Sequence, residues 1–216
     1  MKHIYLIRHG RQDARDCNVN VELSKEGRAQ ASLLSERLAT WHFDKMYSSV
    51  LIRAVETSDI INEHHHMDIE RRPELNEIDW GDLTGMTIPD MYAEYDEFLK
   101  RRSRHDEDLR FPGGENCEDV CRRAVPVFRE IERSDYESIL IVTHGGAIRS
   151  LIAGLLGLKY SDYLAFGKVL ENTSITELGY NEELGIYTLE RLNDYAHLDG
   201  HPELCRGAWS IYSKKK

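Results

Sequence analysis

Two histidines in this chain stand in matching surroundings. His9 follows the apolar run His3–Ile7 and Arg8, and precedes Gly10. His144 follows Ser138–Val142 and Thr143, and precedes Gly145 and Gly146. Each run is short, rich in Ile, Leu, Val or Tyr and bounded by glycine, the pattern of a strand buried on both faces. In open α/β sheets ligands sit beyond the carboxyl ends of the strands, so both imidazoles are expected at one rim. Gly145-Gly146 opens a helix, whose unpaired N–H groups and dipole favour an anion. Arg8 adjoins His9, and Arg53 falls in the first turn of a helix after the short strand Lys45–Tyr47. A guanidinium offers a planar fork of donors suited to phosphate oxygens. The chemistry these residues share is the capture of a phosphate-like anion.

The elements that position them follow from periodicity. Ser24 is an N-cap for a helix with apolar positions Ala31, Leu34 and Leu38. Further helices are predicted over Val50–Ile61, over Glu115–Arg133 with a bend near Pro126, and over Ala147–Leu156. Thr173–Leu178 and Ile186–Leu192 flank a turn and read as a hairpin closing one side of the sheet. Strands alternating with helices imply parallel pairing with helices on both faces. The expected fold is α/β, a three-layer α/β/α sandwich with a mostly parallel central sheet and an antiparallel edge strand. One domain spans 1–216, with a cap-like helical insertion around 86–112. The tail from Pro202 to Lys216 is expected to be a solvated end with no binding role.

Composition narrows the class. The 216 residues carry a formal charge of −10, so the chain lacks the basic footprint of a nucleic-acid binder. Any anion site must rest on a local cluster of cations. No apolar run approaches the ~20 residues of a membrane span, and the charged start reads as a strand, not a signal peptide. Cys17, Cys117, Cys121 and Cys205 form no CxxC pair and no secreted framework. The expected protein is cytoplasmic and reduced, a monomer or homodimer, with no nucleic-acid and no membrane partner.

Ordered blocks along the chain resemble the histidine phosphatase superfamily, also called the phosphoglycerate mutase-like family. They are Arg8-His9-Gly10, Leu23-Ser24…Gly27…Gln30-Ala31, Ser48-Ser49…Arg53-Ala54…Glu56-Thr57, Glu74–Gly81 with Thr84-Gly85, Gly113-Gly114-Glu115, and Val142–Gly146. The resemblance implies that His9 is a nucleophile forming phosphohistidine. It implies that Arg8, Arg53 and His144 hold the phosphoryl oxygens, joined in substrate binding by Gly145 and Asn20. It makes Glu77 the acid and base toward the leaving group and water. The choice of Glu77 over Glu74, Asp79 and Asp82 rests on the resemblance alone. Trp80 and Ile78 would wall it, with Trp80 equally readable as plain core. No metal and no cofactor is implied, and the partner is a small phosphorylated substrate. The loop Arg11–Asn20 departs from the family pattern, and either Asn18 or Asn20 stands where an asparagine meets phosphate in relatives.

The short form favours a metal-independent phosphomonoesterase over a cofactor-dependent phosphoglycerate mutase. A non-catalytic phosphate- or phosphohistidine-binding module is the reading from another class. Lesser motifs have plainer readings. Lys100–Arg104 reads as a solvated helix face that would otherwise lean over the pocket mouth. Cys117 and Cys121, four apart, read as a buried thiol pair before a zinc site. His64-His65-His66 reads as a polar helix end. Asn172-Thr173-Ser174 fits a glycosylation acceptor without consequence in a cytoplasmic protein.

Overall fold

The computed structural model describes residues 1–167 and 169–209; the closing lysines 214–216 lie outside them. Six strands form one sheet: β1 (Lys2–Arg8), β2 (Lys45–Ser48), β3 (Ile69–Arg71), β4 (Ser138–Thr143), β5 (Ile175–Asn181) and β6 (Ile186–Asp194), in the order β3-β2-β4-β1-β5-β6. Among the described residues seven α-helices accompany them: α1 (Lys25–Leu38), α2 (Ile52–Asn62), α3 (Ile88–Glu94), α4 (Asp96–Arg102), α5 (Cys117–Arg133), α6 (Gly145–Leu155) and the short α7 (Arg206–Trp209).

Successive strand residues point to opposite faces, and β1 and β4 divide two cores accordingly. Ile4, Leu6, Ile139 and Ile141 pack with Val127, Phe128 and Ile131 of α5 and Ile148 and Ile152 of α6. Ile7, Leu140 and Val142 face Leu34 and Leu38 of α1 and Ala54 and Ile61 of α2. A strand apolar on both faces can only sit inside a sheet covered by helices on both sides, which is the three-layer sandwich expected from sequence.

The hairpin closes one side of the sheet as expected, but its antiparallel strand is not the edge. The strand that runs against the others is β5, and it lies between β1 and β6 instead of at the edge. The cause is upstream. Thr173 turns at φ +58°, and its N–H donates to the carbonyl of Arg8 at 3.0 Å. The chain therefore meets β1 at its carboxyl end and must run backward along it. β6 then covers the outer edge. The same turn delays the strand to Ile175. Helix α5 passes through Pro126 without a break, with Pro126 on its exposed side, where the carbonyl deprived of its partner is open to water.

The C-terminal segment is also not the inert tail expected. Leu204 is buried, and its carbonyl accepts from Gln30 Nε2 at 2.7 Å. Gln30 Oε1 in turn accepts from the N–H of Arg11 at 2.8 Å. The Arg206 N–H donates to Glu171 Oε2 at 3.1 Å. Leu204 is thus tied through Gln30 to the loop after His9, and Arg206 to the segment that leads into β5.

Helix α1 opens against that loop. Ser24 Oγ caps it by accepting from Gly27 N at 3.1 Å. Gly27 lies so close to Arg11 that a Cβ would sit 2.1 Å from the Arg11 carbonyl oxygen. Forcing a methyl into such a contact costs about 1–3 kcal/mol. Gly27→Ala is expected to lower the urea midpoint by that amount. Gly200→Ala, where a Cβ meets nothing within 4 Å, is the control and should leave the midpoint in place.

Candidate active site

Register brings the two histidines together. β1 and β4 pair in parallel with Arg8 opposite Thr143, so the next residues, His9 and His144, emerge side by side. Their ring centroids lie 4.9 Å apart, and both are buried. Arg53 arrives from the first turn of α2 and is 2% exposed. Its helix begins two residues later than the sequence suggests, because Leu51 is extended and Asn20 Oδ1 caps the Ile52 N–H at 2.8 Å.

Hydrogen bonds assign the tautomers. His9 Nδ1 lies 2.6 Å from the Gly10 carbonyl, which can only accept, so this nitrogen carries the proton. Nε2 is left with a lone pair, which accepts from Arg53 Nε at 3.2 Å. Burial first, then the charges of Arg53 and Arg8, hold His9 well below the ordinary histidine range. His9 is therefore a neutral imidazole with its bare nitrogen turned to the cations.

His144 is fixed the opposite way round. Asn76 Oδ1 accepts from Ser49 Oγ at 2.7 Å and from Val50 N, so Ser49 has no proton left to give. The 2.8 Å contact of His144 Nε2 with Ser49 Oγ is then donated by the imidazole. His144 Nδ1 is buried and has no hydrogen-bond partner among the described residues. Burial, Arg53 and the neighbouring His9 hold this ring low as well.

The backbone around His9 is clamped by three groups, one of which the sequence reading passed over. Asn172, noted only as a glycosylation motif, donates Nδ2 to the His9 carbonyl at 2.8 Å and is 2% exposed. The Arg8 guanidinium donates to the Leu170 carbonyl. Gly10 N donates to Thr57 Oγ1 at 3.0 Å. No sequence signal marks Asn172, since the turn that carries it over β1 is a tertiary event.

Glu77 lies at the start of α6. Oε1 accepts from Ile78 N and Ala147 N, both at 2.9 Å, and Oε2 from Gly146 N at 3.1 Å. The helix terminus expected to receive an anion thus receives a carboxylate of the protein itself. A Cβ on Gly146 would stand 2.5 Å from Glu77 Oε1, so only glycine admits the carboxylate here. Arg123 of α5 holds the loop from behind, with Nη2 on the carbonyls of Asn76 at 2.9 Å and Glu77 at 3.0 Å. Glu115 of the Gly-Gly-Glu block joins it, Oε1 to Arg123 Nε at 2.8 Å and Oε2 to Asp79 N at 3.0 Å.

A cavity of about 230 Å³ opens beside Glu77, walled by Ile78, Trp80, Leu83 and Phe111 with Arg102 and Arg149. Trp80 is a cavity wall and stacks on Phe111 at 5.3 Å. The basic run therefore divides. Lys100 and Arg101 pair outward with Asp96 and Glu107, whereas Arg102 turns in. Gly145 lies against Arg8. Asn20 is exposed at the α2 terminus, and Asn18 Nδ2 donates to the Ile78 carbonyl at 3.1 Å. The charge of Arg206 reaches Arg8, His9 and Arg149, so the supposed tail adds positive potential to the rim. Cys117 and Cys121 are buried, both with Sγ toward the Ser150 carbonyl. Among the described residues no group of three or more His, Cys, Asp or Glu is arranged to hold a metal ion, and no helix is long and apolar enough to cross a membrane.

Residues 4–195 match the family model of the histidine phosphatase superfamily, branch 1. The chain belongs to that family. It is 26% identical over 204 residues to phosphoserine phosphatase 1 of Hydrogenobacter thermophilus, covering 92% of this chain and 95% of the relative. It is 32% identical over 167 residues to a 2,3-bisphosphoglycerate-dependent phosphoglycerate mutase of Cytophaga hutchinsonii, covering 72% and 78%. A mycobacterial glucosyl-3-phosphoglycerate phosphatase solved with inorganic phosphate superposes with a TM-score of 0.83 at 27% identity, covering 91% of this chain and 99% of that one.

Three histidines give a stability prediction. His9 and His144 are held low, and burial brings His197 down to about 4. Below the unfolded value of about 6.5 the unfolded chain takes up protons that the folded chain refuses. Stability from these groups is therefore intact above about pH 6.5 and falls as the pH drops. The slope is at most about 1.4 kcal/mol per pH unit per histidine. Urea midpoints measured from pH 7.5 to 4.5 should decline, and His197→Asn should flatten the decline.

Proposed function

We propose that this protein is a metal-independent phosphomonoesterase that hydrolyses small phosphate esters through a phosphohistidine on His9. The observation that carries the reading is the unprotonated Nε2 of His9, buried against Arg53 with Arg8 and His144 beside it. A neutral imidazole among fixed cations is the state needed to attack phosphorus, and those cations meet the charge of the transferring phosphoryl group. In the first step the Nε2 lone pair forms the N–P bond as the ester P–O bond breaks. Glu77 acts as the acid that delivers a proton to the departing alkoxide. In the second, water attacks phosphorus, Glu77 takes the proton, and inorganic phosphate leaves with His9 restored. Arg8 and Arg53 hold the equatorial oxygens, joined by His144 once the phosphoryl charge draws a proton onto its bare Nδ1, with Gly145 against Arg8 and Asn20 setting the α2 terminus that carries Arg53. Such a protein would work in the cytoplasm on small phosphorylated metabolites.

Hydrolysis is favoured over mutase activity by the extent of the match. The phosphoserine phosphatase relative matches over 92% of this chain and the mutase relative over 72%. The higher identity to the mutase keeps isomerisation as the second reading, and faster interconversion of phosphoglycerates than release of phosphate would establish it. A non-catalytic module would not need Glu77 lining a cavity beside the nucleophile.

A panel of small phosphate esters assayed with chelator present tests the proposal. Turnover unaffected by chelator and abolished by His9→Ala is expected. Glu77→Gln should slow alkyl esters by about 10²–10⁴-fold and 4-nitrophenyl phosphate less, since its leaving group needs less protonation. A folded protein that cleaves no member of the panel would sink the reading.

A further inference from the structure

A second cavity, of about 220 Å³, opens at the far end of α6 from Glu77, between α5, α6 and the turn that joins β5 to β6. It takes no part in the phosphoryl chemistry. Val125, Phe128, Leu151, Leu155 and the ring of Tyr160 give it carbon walls. Its polar members bond one another or the main chain. Tyr187 Oη donates to Glu132 Oε1 at 2.9 Å, Arg129 Nη1 to Glu132 Oε2 at 2.6 Å, and Cys121 Sγ to the Ser150 carbonyl at 2.9 Å. An apolar cavity of about 150 Å³ holds a benzene, so this one has room for an aliphatic side chain.

Such a side chain stands beside the hollow. Leu184 precedes Gly185 of the cavity wall and is 67% exposed, the highest value for any large hydrophobic among the described residues. Ile186, on the other side of Gly185, and Val125 are exposed as well. The tip is not loose. Asn181 Oδ1 accepts from the N–H groups of Glu183 and Leu184, both at 3.0 Å, and the Gly185 N–H donates to the Asn181 carbonyl at 2.8 Å. Gly185 turns at φ +64°, and Glu182 pairs with Lys2 Nζ at 3.2 Å. Leu184 is thus held out in water on an ordered turn, with little conformational freedom left to lose on contact. Exposed carbon gathered on one face marks an interaction surface.

A projection and a hollow on the same face select the partner. A two-fold axis between them sets each copy's projection against the other's hollow, which makes the surface complementary to itself. The charges agree with the shapes. Exposed Glu183 flanks the tip, exposed Arg129 lines the hollow, and exposed Lys159 adjoins Tyr160 of its wall. We infer that this chain forms a two-fold dimer in which Leu184 of each copy fills the hollow between α5 and α6 of the other. The inference does not depend on the phosphatase reading.

Light scattering and sedimentation velocity at micromolar concentration test it without reference to activity. Twice the chain mass is expected. Leu184→Asp and Val125→Lys should each weaken association by about a hundredfold or more, because symmetry removes two apolar contacts for each substitution. Leu184→Met keeps an apolar projection and should leave the dimer in place. Melting curves check folding, and where one charged variant fails that check the other decides. Mixing then tests the geometry. A heterodimer of Leu184→Asp with Val125→Lys carries one native contact and one pair of opposite charges, so two monomeric variants are expected to associate when combined. A monomeric wild type, a dimer indifferent to Leu184→Asp, a species larger than a dimer, or charged variants that stay apart on mixing would each overturn the inference.

Discussion

One buried and one half-buried arginine beside a neutral histidine are costly to assemble. Charged groups leave water only when something replaces its dipoles. Arg8 and Arg53 are met by main-chain carbonyls, those of Leu170 and Val19, which compensate in part and leave the positive potential intact. Almost every other feature of the rim serves this arrangement. The turn at Thr173 delivers the Leu170 carbonyl, the Asn20 cap sets the helix that carries Arg53, and the same fields keep His9 unprotonated. An incoming phosphoryl group is the anion that the cluster lacks.

Rigidity comes from parallel register more than from side chains. His9 and His144 are adjacent because β1 and β4 are in step, and the strands are in step because their alternate residues belong to two separate cores. A slip of one residue would exchange those cores. The acid loop has a different support. It is held by Arg123 of α5 and by Glu115 just before that helix, so Glu77 is positioned from one helix and receives two of its three hydrogen bonds from the start of another. His9 and Glu77 are thereby mounted on separate pieces of the framework, with the cavity opening beside Glu77.

Much of this was legible in the sequence. His9, His144, Arg8 and Arg53 announce themselves by standing at strand ends or in a first helical turn, because local pattern fixes where such residues emerge. Glu77 needed the family pattern, since several acids crowd its stretch and local chemistry does not rank them. Asn172 and Arg123 were not legible, and for one reason. Each acts on a partner distant in the chain, and nothing in its neighbours' spacing encodes that encounter. The position of β5 escaped for the same cause, as strand order depends on where a turn docks. Arg102 was half seen: the run Lys100–Arg104 is mostly a solvated face, but helical phase turns one member of it inward.

Gln30 has a consequence of another kind. Its carboxamide stands between a donor, the Arg11 N–H, and an acceptor, the Leu204 carbonyl, in a fully buried place. Glutamate has nearly the same shape, yet offers two acceptors where one donor is required. Isosteric exchange at this position would set oxygen against oxygen, and the strain would fall on the loop after the nucleophile and on the C-terminal segment together. Two distant stretches of chain are thus kept in correspondence by the valence of a single atom.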